Sequence, residues 1–255
     1  MSRDTRVVQF PLQSGQCQSC DRASVCLGQG LSDTETHELL NISAVPKLLK
    51  RGQELFSEGH AFDYLYAVRS GAFKTYKITP EGEEQIIDFH LPGDLIGFNA
   101  VARGYYTCHA VSLDTASVCA IRFRDLATLC TGSIRLQETM LKRISALMAR
   151  EEDFLVTIGT KSATQRLASF LVTLSNYYLN RGFSSTNFTL PMSRTDIASY
   201  LSLAVETVSR TLTRLQHDKV ISVKRNSVEI KNHERLHTLA GFRLTGITPV
   251  ADMLH

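Results

Sequence analysis

Ser193-Arg194-Thr195-Asp196-Ile197-Ala198-Ser199-Tyr200-Leu201-Ser202-Leu203-Ala204-Val205-Glu206-Thr207-Val208-Ser209-Arg210-Thr211-Leu212-Thr213-Arg214-Leu215 carries the clearest structural signal in the chain. Ser193 is placed to cap a helix, with Asp196 in the capping-box position. Ile197, Ala198, Tyr200 and Leu201 give that helix an apolar face, and Ser202-Leu203 predicts a tight turn. A second helix is expected from about Ala204 to His217, with Val205, Val208, Leu212 and Leu215 buried. Its opposite face carries Glu206, Thr207, Ser209, Arg210, Thr213 and Arg214. Helix, short turn, then a helix polar on one face is the helix-turn-helix arrangement. The alternative is a small helical subdomain of another kind.

The residues beyond it favour the first reading. Lys219 to Lys231 predicts two strands around Lys224-Arg225-Asn226-Ser227, a basic wing. The whole chain has 255 residues and a net charge of +3, unevenly spread. Residues 1–160 hold 16 basic against 19 acidic side chains, and residues 161–255 hold 12 against 6. A basic C-terminal third points to a polyanionic partner.

Upstream, Ser162 to about Asn180 predicts one helix, closed by Arg181-Gly182. Before it, Met140, Ile144, Leu147, Glu151, Phe154 and Ile158 recur at intervals of 4, 3, 4, 3 and 4, a coiled-coil seam interrupted by one carboxylate. Such a helix takes a partner helix, or else its seam packs on its own domain. In a parallel two-fold pair the two Glu151 carboxylates, about 4 Å apart, would repel by up to about 4 kcal/mol at an effective dielectric near 20. That makes pairing conditional on another input.

From about Lys47 to Phe123 the pattern is short β-branched or aromatic runs between turns. Tyr64-Leu65-Tyr66-Ala67-Val68 and Phe73-Lys74-Thr75-Tyr76-Lys77-Ile78 are runs; Ser70-Gly71, Pro80-Glu81-Gly82 and Pro92-Gly93-Asp94 are turns. This predicts an all-β roll or barrel. Ser32 with Glu35 marks a short helix through Leu39 and Leu40, ending by Pro46.

Cys17-Gln18-Ser19-Cys20-Asp21-Arg22-Ala23-Ser24-Val25-Cys26 gathers three of the six cysteines. No apolar run spans a bilayer, and no apolar stretch follows Met1-Ser2-Arg3-Asp4-Thr5-Arg6. The expectation is a cytoplasmic protein with reduced thiols, which favours metal or redox use over structural disulfides. A fourth ligand would come from Cys108, Cys119 or Cys130. Four thiolates suit zinc or a cubane iron–sulfur cluster, and the residues alone leave both open. An iron–sulfur electron carrier or enzyme is disfavoured: the chain has no nicotinamide or flavin fingerprint and no catalytic dyad.

In this order the parts resemble the CRP/FNR family of bacterial transcription regulators, in particular its oxygen-sensing FNR and ANR branch. The resemblance rests on Cys17-x2-Cys20-x5-Cys26, Val68-Arg69-Ser70-Gly71, Gly82-Glu83-Glu84-Gln85-Ile86, Phe89-His90-Leu91-Pro92-Gly93-Asp94-Leu95-Ile96-Gly97 and Val205-Glu206-Thr207-Val208-Ser209-Arg210. It implies an α+β chain: a cysteine-rich tail (1–30), a cyclic-nucleotide-binding-like β-roll (31–132), a dimerisation helix (133–160), a winged helix-turn-helix (161–241) and a C-terminal tail (242–255). It implies a 4Fe–4S cluster on Cys17, Cys20, Cys26 and Cys119, with Cys108 and Cys130 as core thiols. By the same resemblance the intact cluster favours a homodimer through Met140, Ile144, Leu147, Met148, Glu151, Phe154 and Ile158, and dioxygen undoes it. Glu206, Ser209 and Arg210 would read TTGAT-type palindromic half-sites in double-stranded DNA. Val205, Thr207, Arg214, Arg194, Lys224 and Arg225 are further contact candidates. RNA polymerase is the implied second partner, through the turn Thr79-Pro80-Glu81-Gly82-Glu83-Glu84. Relatives that bind cyclic AMP carry a Glu after Pro-Gly and an Arg-Ser or Arg-Thr pair beyond it. Here Asp94 and Tyr106-Thr107 stand in those places, so no cyclic nucleotide is expected. The alternative is a member of the same family with a structural zinc site or another small-molecule signal.

Overall fold

Period-two alternation builds the N-terminal part. The computed structural model describes residues 26–28, 31–44 and 47–241. They form eleven strands and seven α-helices, and the chain divides into two units, Met1–Leu141 and Lys142–His255.

The first unit opens with α1 (Asp33–Asn41), whose N-cap Ser32 and Glu35 form the expected reciprocal box. Eight antiparallel strands follow: β1 (Lys47–Leu49), β2 (Glu54–Phe56), β3 (Tyr64–Ser70), β4 (Phe73–Ile78), β5 (Glu84–His90), β6 (Leu95–Ile96), β7 (His109–Ser112) and β8 (Ala116–Arg122). They make two four-stranded sheets, ordered β1-β8-β3-β6 and β2-β7-β4-β5. Gly71, between β3 and β4, has φ 71°, and a Cβ there would lie 2.5 Å from Asp114 Oδ1. That oxygen instead accepts the Ala72 N–H at 2.8 Å, so only glycine lets the two turns close on one another.

Alternation along β3 and β8 sorts side chains into two cores. Tyr66, Val68, Val118 and Ala120 join Leu49, Phe56, Phe73 and Ala110 inside the roll. Leu65, Ala67 and Ile121 face the other way, onto Leu27, Leu39, Leu126 and Leu136. In the inner core the Tyr106 ring stacks on Phe56 at 3.8 Å between centroids. Its hydroxyl donates to the Tyr64 carbonyl at 2.7 Å.

Two helices close this unit. The first, α2 (Phe123–Gly132), is absent from the sequence reading, and its N-cap Arg122 makes no side-chain capping bond. The second, α3 (Ile134–Thr160), starts where expected. Ser133 accepts the Leu136 N–H at 3.1 Å and donates to Glu35. Glu35 thus receives Ser133 and both the backbone and side chain of Ser32, which hold its carboxyl down at about 2.

The second unit takes up the rest of α3, then α4 (Ala163–Leu179), β9 (Asn187–Thr189), α5 (Arg194–Leu201), α6 (Val205–His217), β10 (Ile221–Lys224), β11 (Ser227–Ile230) and α7 (His233–Leu239). Ser193 and Asp196 form the predicted capping box of α5. The expected wing is β10 and β11, joined by Arg225-Asn226 and extended by β9 to the order β10-β11-β9. The sequence reading missed β9 and α7.

Candidate functional site

On β8, Cys119 sits opposite Ala67 of β3. It shares Ile121's face, so it points onto the outer core. Cys26 packs on that same core, beside the fully buried Leu27. Of the expected ligands, Cys26 and Cys119 pack on the same core, while Cys17 and Cys20 lie outside the described residues. Leu27 anchors the segment at Cys26, a role the sequence reading did not assign. Cys108 lies in the inner core, where burial pushes its thiol up and Asn99 Nδ2 approaches its sulfur at 3.5 Å. Cys130 packs on the outer core from α2, and burial raises its thiol too. Packing thus separates Cys108, in the inner core, from Cys26, Cys119 and Cys130, which share the outer one. Among the described residues no three His, Cys, Asp or Glu side chains gather to hold a metal ion. Four soft thiolates are the donor set an iron–sulfur cluster takes, and Cys26 and Cys119 are the two of the expected set that the structure describes.

The outer core reaches further. Leu136 is fully buried in it and Met140 packs on it, so the first two turns of α3 rest on the same apolar cluster as Cys26 and Cys119.

In the second unit α6 has a strongly two-sided surface. Val208, Thr211, Leu212 and Leu215 are buried. Val205, expected on the buried face, is 36% exposed, and Thr211 takes the buried place. The reason is position: Val205 is the first residue of the helix, ahead of the turn that packs. Glu206 and Arg210 are exposed and Ser209 is half-buried; at i, i+3 and i+4 the three share one face. Thr207 is half-buried, and Arg194, Arg214, Lys224 and Arg225 are exposed. Arg214 Nε lies 3.9 Å from Asp218 Oδ2, an exposed contact that contributes little. Arg225, at the tip of the wing, has φ 56°, in the left-handed region.

A cyclic nucleotide-binding domain model matches residues 46–133, and a Crp-like helix-turn-helix domain model matches residues 165–239. Over 234 residues the chain is 39% identical to the fumarate and nitrate reduction regulatory protein of Escherichia coli strain K12, covering 90% of this chain and 94% of that protein. The corresponding protein of Yersinia pestis is 40% identical over the same shares. The chain belongs to the CRP/FNR family of transcription regulators. The solved structure of FixK2 from Bradyrhizobium japonicum agrees, with a TM-score of 0.71 at 28% identity over 78% of this chain and 97% of that one.

As a CRP/FNR protein the chain is a regulator and not an enzyme, and its Crp-like helix-turn-helix makes DNA its partner. No described helix is long and apolar enough to cross a membrane.

The long helix of this CRP/FNR regulator departs from the sequence reading. Met140 packs on the outer core. Phe154 stacks on Tyr200 of α5, centroids 4.4 Å apart. Neither lies on the exposed face. Besides Ile134 at its start and Val156 off to one side, the exposed apolar residues of the helix are Leu141 (67%), Ile144 (36%), Met148 (56%) and Leu155 (70%). At 100° per residue these four fall within about 60° of arc, flanked by the exposed Glu151 and Glu152. Met140, Leu147 and Phe154 form a neighbouring stripe, with Leu147 and Ile158 half-buried. In the sequence the two stripes merged into one seam.

Proposed function

We propose that this regulator responds to oxygen: it holds a 4Fe–4S cluster through Cys17, Cys20, Cys26 and Cys119, pairs through α3, and binds TTGAT-type palindromes through α6 to control anaerobic gene expression. The observation that carries the reading is the outer core. Cys26 and Cys119 pack on the same apolar cluster as Leu136 and Met140 of α3. A change that loosens Cys26 from Cys119 therefore acts on side chains that seat the start of the long helix. When bound, the cluster supplies dioxygen-sensitive iron–sulfur chemistry. Leu27, fully buried in the outer core, holds the neighbouring Cys26 on the side of the roll where Cys119 lies.

The exposed stripe of Leu141, Ile144, Met148 and Leu155 is the surface a second copy covers. Glu151 beside it sets two carboxylates near one another in a two-fold pair, which opposes pairing. In the DNA complex Arg210 forks to guanine O6 and N7, Glu206 accepts from cytosine N4, and Ser209 adapts. Arg194, Arg214, Lys224, Arg225 and Thr207 hold phosphates, with Val205 near a thymine methyl. The hairpin turn Thr79–Glu84 faces RNA polymerase. Support for a roll without cyclic nucleotide comes from its own contacts. Asp94 Oδ2 accepts the Leu91 N–H at 2.9 Å, and Tyr106 is committed to the Phe56 stack and the Tyr64 carbonyl.

The test is an anaerobic preparation analysed for iron and sulfide, then titrated with air while its mass is followed by sedimentation. The expected result is about four irons per chain, a visible band bleached by air, and a dimer that becomes monomer. A colourless protein that carries zinc and ignores air overturns the oxygen reading and leaves the family assignment intact.

A further inference from the structure

One side chain in the second unit joins three helices. Arg166 lies in the first turn of α4, where its own helix dipole disfavours a cation. Its guanidinium points away from that helix, toward the ends of two others. Nη2 donates to the Ile158 carbonyl at 2.6 Å and Nε to the Lys161 carbonyl at 3.0 Å. Nη1 donates to the Leu201 carbonyl at 3.1 Å and to the Ser202 carbonyl at 3.4 Å. Of the first pair, Ile158 lies in the last turn of α3 and Lys161 directly follows that helix. The second pair is the end of α5 and the turn of the helix-turn-helix.

The last carbonyls of a helix have no partner within it and form its negative pole. Arg166 serves two such poles with one planar, always-charged fork. Ser202 gives the turn its sharpness, with φ 51° and ψ 52°. The Leu203 N–H donates back to Ala198 at 2.9 Å. The grip therefore falls on the residue that sets the path from α5 into α6. A second contact spans the same joint: Phe154 of α3 stacks on Tyr200 of α5, and Phe170 of α4 lies 5.9 Å from that ring.

We propose that Arg166 is a positioning residue for DNA recognition: it fastens the turn before the reading helix to the end of the long helix, so that pairing of α3 fixes how α6 is presented. It acts through carbonyls and touches no base or phosphate. The inference rests on α6 being the reading helix, as proposed for this regulator.

The experiment compares the full-length, anaerobically prepared protein with its Arg166→Lys variant on a palindromic duplex carrying two TTGAT-type half-sites. Lysine keeps the charge and loses the fork. The expected result is at least ten-fold weaker DNA binding with an unchanged dependence of log K on log salt, because no phosphate contact is lost. Dimer mass stays native. Amide exchange speeds up at least ten-fold in residues 199–207 and stays native in residues 167–175. DNA affinity within two-fold of native, or unchanged exchange in 199–207, overturns the proposal. So does a salt slope reduced by about one per half-site, about two for the dimer, which marks a phosphate contact instead. Should lysine loosen α4 itself, seen as lost protection in 167–175, Phe154→Leu opens the same joint with Arg166 in place. It must then weaken DNA binding likewise, and native affinity in that variant overturns the proposal. A native protein that fails to bind the duplex at all sinks the reading-helix assignment instead.

Discussion

Leu155→Ala and Phe154→Ala, neighbours on one helix, should have opposite consequences. Leu155 is 70% exposed on the apolar stripe of α3. Alanine removes three carbons, each worth about 0.8 kcal/mol when buried. Scaled by that exposure, the loss is about 1.7 kcal/mol per protomer. A two-fold pair loses it twice, about 3 kcal/mol, so the dimer constant should weaken by roughly 10²-fold. Each separate chain should melt as the native one does, because nothing in its own fold rests on Leu155. Phe154 instead stacks on Tyr200. Its truncation should lower the melting temperature of the second unit, and any effect on pairing should be secondary. Sedimentation equilibrium of the anaerobic protein, with calorimetry alongside, separates the two. A Leu155→Ala dimer constant within two-fold of native, together with a Phe154→Ala protein that melts normally and fails to pair, would restore the seam first read from the sequence and refute the exposed stripe.

Further outcomes are open to direct measurement. Cys119→Ala should lose bound iron, whereas Cys108→Ala should keep it, because Cys108 belongs to the inner core; iron analysis of anaerobic preparations decides, and loss from the Cys108 variant refutes the ligand set. Arg210→Ala should cost about 1–3 kcal/mol per half-site and relax the preference for one base pair, while Lys224→Ala should weaken all duplexes alike and lower the salt slope by about one per half-site, about two for the dimer, both read by fluorescence anisotropy. Glu35 is held at about 2 against the usual 4.5, chiefly by Ser133 and Ser32. A depressed carboxyl contributes its stability fully above pH 4.5 and loses it as pH falls toward 2. Melting curves of Glu35→Gln should therefore fall less steeply than native between those values; parallel curves would show the anchor to be idle.

The parts legible in the sequence are those where chemistry is local. Ser32 with Glu35 and Ser193 with Asp196 announce helix starts because a capping box is closed within four residues. The wing shows as two short runs flanking a two-residue turn, and the β-roll as turns between branched and aromatic runs. What was missed depends on partners far along the chain. The helix α2 starts without a side-chain cap. Strand β9 has three residues and exists by pairing with β11. On α3 the apolar positions supply two adjacent stripes, and only packing decides that Met140 and Phe154 turn inward while Leu141 and Leu155 stay out. The spacing of Leu141, Met148 and Leu155, seven apart, was a usable signal. Arg166 gave none, since its partners are backbone carbonyls. The same dependence on distant partners limits the candidate site: alternation along β8 puts Cys119 and Ile121 on one face, but that this face meets Cys26 comes from the tertiary structure.

The wing tip places selection for stability and selection for binding in conflict. Arg225 holds a left-handed backbone conformation that a side chain beyond glycine adopts at a cost of about 1–2 kcal/mol. A library screened for heat resistance alone should therefore enrich Arg225→Gly, and each step in that direction removes a cation from the tip of the wing. The thermostable winners of such a screen would be poorer ligands for DNA, and that loss would be invisible to any assay that watches only folding.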